Sequence, residues 1–139
     1  MRNYDREVKQ VRSNNKAILN EFQLWLRKSD LAPNTVESHL DNIGFFAEYL
    51  IYYEPLCRLD EANDSDVHGF LMDWYPHKAM WASEAYTKAY MASFRKFFKY
   101  LRESNRIEQT VEDEVRETLK ENKEEFLDAV AYDDIDSDW

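Results

Sequence analysis

Apolar residues recur at every third or fourth position through most of this chain, and only two glycines and three prolines interrupt its 139 residues. At about 3.6 residues per turn, that spacing puts apolar side chains on one face of an α-helix. The sequence is 15% aromatic, so these faces carry enough bulk to fill a core. The length fits about one domain. The pattern therefore predicts a small all-α bundle.

The periodicity and the capping signals divide the chain into five helical segments. Pro33 is typical of a first helical turn, and Asn63, Asp64 and Ser83 are typical N-caps. Pro76 is expected to end the third helix, because proline has no N–H and clashes with the preceding turn. The segments lie at about residues 5–28, 33–53, 64–75, 83–105 and 110–130, and the charged residues 132–139 are expected not to fold by themselves.

The same periodicity predicts which side chains face the core. On the second helix, Phe45 and Tyr52 fall on the side away from the predicted core. The predicted core positions are Val8, Val11, Ile18, Phe22, Trp25 and Leu26 in the first helix, Val36, Leu40, Ile43, Ala47 and Leu50 in the second, Val67, Phe70, Leu71 and Trp74 in the third, Tyr90, Phe94, Phe97, Phe98 and Leu101 in the fourth, and Val111, Val115, Leu119, Phe126 and Val130 in the last.

The fourth predicted helix carries five cations on one face. Lys88, Arg95, Lys99, Arg102 and Arg106 are 7, 4, 3 and 4 residues apart. This spacing places them within about 60° of one another around the helix axis. We call these five residues the basic stripe. In an acidic chain such a stripe is expected to meet an anion, either nucleic acid or the chain's own carboxylates.

The net charge of −10 is concentrated at the C-terminal end. Residues 1–106 contain 15 basic and 15 acidic residues, whereas residues 107–139, the acidic segment, contain 3 and 13. We therefore predict a helical domain over residues 1–108 and an acidic C-terminal helix and tail over residues 109–139.

Several stretches, in this order, resemble parts of the core-binding domain of tyrosine recombinases, the phage integrases. They are 21–26 (EFQLWL), 31–36 (LAPNTV), 46–50 (FAEYL), 64–67 (DSDV) with 70–71 (FL), and 91–101 (MASFRKFFKYL). Their order and spacing are more specific than any single stretch, and the resemblance spans about residues 14–108. In that family the domain is a SAM-like bundle of four to five helices that clamps one side of duplex DNA. The resemblance implies this fold and this binding activity, with the acidic segment as an extension.

Two differences from that family affect the expected function. Where the family usually carries basic residues toward DNA, this chain has Leu40, Asp41, Ala89 and Tyr90, so the second helix is expected to contribute little. The family's catalytic domain, with its arginines and tyrosine nucleophile, has no counterpart here. Tyr132 lies among carboxylates that would repel a phosphate. The chain is therefore expected to be non-catalytic and to need no cofactor.

Three roles remain open for the basic stripe: an ordinary solvated helix face, a contact for duplex DNA, or a docking site for the acidic segment. The helix dipole favours cations near a helix C-terminus, which accounts for residues 99–106 but not for Lys88 or Arg95. The predicted DNA contacts are Lys88, Arg95, Lys96, Lys99, Arg102 and Arg106, with Asn34 and His39 helping from the second helix.

The alternative function is a protein-interaction or self-association module on the same fold. The acidic segment would then bind a basic partner, a recombinase or a second copy of the chain, or it would cover the basic stripe. Phe45, Tyr52 and Trp139 are the expected contact points.

Other classes of function are not expected from this sequence. The three histidines lack the cysteine partners or the spacing of a zinc site. No long apolar run and no apolar leader occur, so we expect neither a membrane span nor export. The single cysteine, Cys57, fits a reducing compartment, and the chain is expected to be cytoplasmic.

Overall fold

A computed structural model describes the backbone of residues 3–137 and the side chains of residues 3–131. Within that range the chain is helical apart from short connections and contains no strand, which confirms the predicted all-α bundle. None of the described helices is both long and apolar enough to cross a membrane. The elements are α1 (Asn3–Arg27), α2 (Pro33–Leu50), a 3₁₀ turn (Leu59–Glu61), α3 (Asp64–Gly69), a π-helical turn (Phe70–Trp74), α4 (Tyr75–Lys78), α5 (Glu84–Glu103), α6 (Gln109–Glu121) and α7 (Lys123–Ser137).

Helix α5 lies at the centre of the bundle, where it contacts α1, α2, α6 and α7. Its aromatic face is buried as predicted, and Phe94, Phe97 and Phe98 have no exposed area. Edge-to-face ring contacts fill the space between α2 and α5, such as Phe46 on Phe94 with 4.8 Å between the ring centroids. Burial of this face leaves the cation-bearing face of α5 toward solvent.

The first half of α1 is less buried than predicted. Ile18, Phe22 and Leu26 have no exposed area, but Val8 and Val11 are only partly covered. Helical periodicity predicts which face is apolar, but it does not predict where along the axis the neighbouring elements end.

Helix α2 is buried around more of its circumference than the single predicted apolar face. Leu40, a predicted core residue, is only partly buried, whereas His39 and Phe46 are buried. Phe45, predicted on the outer face, packs against the Trp81 ring with 5.3 Å between centroids. The reason is that α1 contacts α2 while α5 and the π-helical turn also pack on it.

The third predicted helix does not end at Pro76. The chain continues from α3 through the π-helical turn into α4, with Pro76 in its first turn. The Tyr75 N–H donates to the Phe70 carbonyl, five residues earlier, as a π-helical turn requires. A proline is tolerated in a first turn, where its missing N–H is not needed. The prediction was wrong because it did not include this change of helical pitch.

Both ends of α5 are capped. The Tyr86 N–H donates to Ser83 Oγ at 3.1 Å. At the other end Asn105 adopts a φ of 62°, and the Arg106 N–H donates to the Leu101 carbonyl at 2.9 Å. This is the Schellman geometry, in which Asn is the usual alternative to Gly. The caps fix the length of α5 and turn Arg106 back toward the bundle.

Helices α6 and α7 contribute to the same core as the rest of the chain. Val115, Leu119 and Phe126 have no exposed area and join one apolar cluster with α1, α2 and α5. The predicted boundary after residue 108 therefore falls between helices that share a core. Helix α7 also runs to Ser137, into the segment predicted not to fold, because extending an existing helix adds one hydrogen bond per residue.

Candidate nucleic-acid interface

The basic stripe divides into a neutralised end and an open end. Arg102, in the last turn of α5, is paired with a carboxylate. Arg106 was predicted on the same helical face, but it lies beyond the end of α5, after the turn at Asn105, and is also paired. Among the side chains of residues 3–131, Lys88, Arg95 and Lys99 form no ion pair. The two ends of the stripe therefore differ in whether their cations already have a carboxylate partner among the described side chains.

Glu112 of α6 neutralises Arg102. The Arg102 Nε donates to Glu112 Oε1 at 2.8 Å, and the Arg116 Nε donates to Glu112 Oε2 at 3.2 Å. Gln109 adds a third donor at 3.0 Å, and the Glu112 side chain is only 2% exposed. Burial alone raises the pKa of Glu112, but these hydrogen bonds outweigh it and hold the pKa below its ordinary value. The acidic segment thus docks on the stripe through a buried carboxylate.

Arg106 is neutralised by residues from the first half of the chain. Its Nη2 donates to Glu21 Oε2 at 2.6 Å, and its Nη1 lies 3.5 Å from Asp60 Oδ2. The Tyr100 hydroxyl donates to the other oxygen of Glu21 at 3.2 Å. These contacts link α1 and the 3₁₀ turn to Tyr100 of α5 and to the loop that follows that helix.

The open end of the stripe borders a groove of about 680 Å³ between α1, α5 and α6. Five cations line it: Lys28 after the end of α1, Arg95, Lys96 and Lys99 on α5, and Arg116 on α6. We call this surface the basic groove. Its remaining lining residues are Trp25, Ser29, Ala92 and Glu103.

One carboxylate, that of Glu103, also lines the basic groove, but it already has partners. Its Oε1 accepts a hydrogen bond from Trp25 Nε1 at 2.9 Å, and its Oε2 lies 3.9 Å from Arg102 Nη2. Cations that face a common concave surface produce a stronger local potential than the same charges spread over a convex one. The described lining of the basic groove thus carries more cations than carboxylates, although the whole chain has a net charge of −10.

The other predicted contacts lie outside the basic groove. Lys88 is exposed on the face of α5 that bears Arg95, about two turns earlier. Asn34 is exposed in the first turn of α2. His39 is only 8% exposed, and a hydrogen bond of 2.7 Å joins its Nδ1 to Ser93 Oγ. His39 therefore packs between α2 and α5.

The charge state of His39 follows from this position. Burial, and as a smaller cause the positive charge of Lys96, lowers the pKa of His39 from its ordinary 6.5. The imidazole is therefore neutral at pH 7 and adds no positive charge for a phosphate to bind.

Two cations and the aromatic ring of the basic groove were not among the predicted contacts: Lys28, Arg116 and Trp25. The periodicity of α1 placed Trp25 in the core, and Lys28 simply follows its last apolar residue. Arg116 lies four residues after Glu112, a spacing that predicts their contact but not its place beside α5. Only the packing of α1 and α6 against α5 brings the three together.

The histidines, Cys57 and the described points of expected protein contact lie outside the basic groove. Within residues 3–131, no three His, Cys, Asp or Glu side chains come together as metal ligands would. Burial raises the pKa of the Cys57 thiol to about 12, so the thiol stays protonated. Tyr52 is 52% exposed, Phe45 is packed among rings, and Trp139 lies outside the described residues.

No protein-family model, curated protein or solved structure matches this chain.

Proposed function

We propose that this chain is a non-catalytic DNA-binding module, similar to a recombinase core-binding domain, that holds backbone phosphates in the basic groove. The observation that carries the proposal is the convergence of five cations, Lys28, Arg95, Lys96, Lys99 and Arg116, on one concave surface. Cations in such an arrangement displace the counterions of DNA, and their release favours binding. The excess negative charge lies in the acidic segment and leaves residues 1–106 neutral.

The five cations suit phosphate contacts rather than base recognition. Arg95 and Arg116 each present several N–H donors that fit a phosphate, whereas the lysines act as point charges. Contacts of this kind fix the position of a protein on DNA without reporting sequence. We therefore expect salt-sensitive binding with little sequence preference.

In this proposal the acidic segment is part of the binding surface, because α6 supplies Arg116 to the basic groove. The alternative, in which the acidic segment covers the stripe, is supported by the contact of Glu112 with Arg102. That contact reaches the C-terminal end of the stripe. Among the groove cations, Arg116 also pairs with Glu112, whereas Lys28, Arg95, Lys96 and Lys99 form no ion pair within the described side chains. Deleting the segment is not a clean test, since Val115 and Leu119 belong to the core.

The test is a titration of labelled duplex DNA with the full chain at about 50 mM salt. The double variant Arg95→Glu with Lys99→Glu reverses two groove cations. The control, Lys9→Glu with Lys16→Glu, reverses two exposed lysines of α1. We expect the groove variant to lose most of the binding and the control to lose little. Absence of wild-type binding, or equal losses in both variants, would contradict the proposal.

A further inference from the structure

Among the side chains of residues 3–131, Trp25 is the one aromatic ring that lines the basic groove. It lies in the last turns of α1 and is only partly buried, although the periodicity of the helix predicts it inside. Its indole stacks on Phe22, with 6.1 Å between ring centroids and 25° between the ring planes, and it contacts Tyr100 at 6.2 Å. One side of the indole is thus supported by the core while the rest borders the groove.

The position of this indole is fixed by a hydrogen bond. Trp25 Nε1 donates to Glu103 Oε1 at 2.9 Å, so the indole is held between α1 and α5. This contact also engages the carboxylate of Glu103, whose second oxygen lies 3.9 Å from Arg102 Nη2. A ring that is already held in place loses little conformational entropy when a ligand stacks on it.

We propose that the basic groove takes up an unpaired nucleotide, with its base stacked on Trp25 and its phosphates held by the surrounding cations. This inference rests on the proposed function and specifies which form of nucleic acid the groove prefers. The combination of a positively charged groove with an aromatic ring is how proteins hold single strands. The groove volume of about 680 Å³ is within the range of about 300–1,000 Å³ that holds small-molecule ligands, the size class of a nucleotide.

A blunt duplex cannot use Trp25 in this way. In a duplex the bases are stacked on one another and present only their edges in the grooves. The faces of bases become available at single-stranded ends, loops and separated strands. A duplex therefore contacts the cations through its phosphates, and a single strand gains the stacking contact in addition.

The experiment compares full-length wild type with Trp25→Leu, which keeps an apolar side chain but removes the aromatic face. Trp81→Leu is the control, because Trp81 is 46% exposed and lies outside the basic groove. Each protein is titrated with a thymine-only strand, a uracil-only RNA strand and a blunt DNA duplex that carry equal numbers of phosphates. Tryptophan fluorescence is recorded in the same titrations, and circular dichroism verifies the fold.

We expect wild type to bind the single strands more tightly than the duplex and to lose fluorescence as it does so. Stacking on an aromatic ring contributes about 1–3 kcal/mol per base, so Trp25→Leu should weaken single-strand binding by about tenfold more than it weakens duplex binding. Any effect on the duplex comes from the Glu103 carboxylate, which loses its Trp25 donor. A preference for either the thymine or the uracil strand is compatible with stacking. If Trp25→Leu does not fold, Trp25→Phe, which retains a ring, replaces it and should weaken single-strand binding by a smaller factor.

Two results overturn the inference, and they are distinguishable. Duplex binding without a preference for single strands, or an equal loss of both in Trp25→Leu, excludes stacking but leaves the proposed function intact. Absence of binding to every nucleic acid at low salt excludes both.

Discussion

The Nε of Arg102 donates a hydrogen bond of 2.8 Å to Glu112 Oε1, and this bond joins the basic stripe to the acidic segment. Glu112 also accepts from Arg116, so one carboxylate that is 2% exposed fixes two arginines. The first arginine is neutralised against α6, and the second lines the basic groove. The acidic segment therefore helps to form the basic groove, although its net charge is negative.

Glu112→Gln is expected to destabilise the fold. The substitution removes the charge that both arginines face and turns an amide N–H toward one of them. Loss of a buried hydrogen-bonded partner costs about 1–3 kcal/mol in free energy of unfolding, and the partial exposure of both arginines favours the lower part of that range. Urea unfolding at pH 7 measures the effect. Glu114→Gln, an exposed change on the same helix, is the control and should stay within about 0.5 kcal/mol of wild type.

The stabilisation by Glu112 should depend on pH in a defined direction. Its pKa in the folded chain lies below the ordinary 4.5, so the unfolded chain binds this proton first as the pH falls. The stabilisation is complete well above pH 4.5 and is lost as the pH falls below it. The difference in unfolding free energy between wild type and Glu112→Gln should therefore shrink from pH 7 to about pH 3. A difference that stays constant with pH would show that the carboxylate charge is not what stabilises this contact.

His39 is expected to destabilise the fold at mildly acidic pH. Burial and, as a smaller cause, Lys96 lower the pKa of His39 in the folded chain below its ordinary 6.5. At pH values between the lowered pKa and 6.5, the unfolded chain therefore binds more protons than the folded chain. The free energy of unfolding should then fall as the pH falls from about 7 to about 5. In His39→Gln this contribution should be absent. Urea unfolding of both proteins across that window tests it, and parallel pH profiles would contradict it.

The two glycines should respond differently to alanine. Gly44 lies inside α2, and an added Cβ would meet no heavy atom within 4 Å. Glycine in a helix interior costs about 0.5–1 kcal/mol relative to alanine, so Gly44→Ala should raise the free energy of unfolding by about that amount. At Gly69 an added Cβ would lie 2.5 Å from the Tyr49 hydroxyl oxygen, so the ring must move and the gain should be smaller. Equal gains in urea unfolding would contradict this contrast.

The fold class follows from local patterns, but some of its details do not. Some features depend only on residues that are close together in the sequence, and these can be predicted from it. They include the caps at Ser83 and Asn105 and the aromatic face of α5. The passage through Pro76 depends on a π-helical turn that propensity does not encode. The partial exposure of Val8 and the burial of Phe45 depend on which elements lie opposite them, which no single helix reveals.

The candidate site was predictable in part for the same reason. Arg95, Lys96 and Lys99 share one helix, and their spacing alone places them on one surface. Lys28 and Arg116 join them only through tertiary packing. Arg102 looks equivalent to Arg95 by spacing, but it is paired with a carboxylate ten residues away across a turn. Helical position predicts which cations are neighbours and does not predict which of them already have a partner.

The salt dependence of DNA affinity tests the central claim most directly. Wild type is compared with Lys96→Gln/Lys99→Gln and with the control Lys9→Gln/Lys16→Gln over about 50–200 mM salt. The slope of log association constant against log salt falls in magnitude by about 1 for each phosphate contact that is lost. We predict a reduction of about 2 for the groove variant and none for the control. An unchanged slope in the groove variant, or the same reduction in both, would contradict the assignment of the basic groove as the phosphate-binding surface.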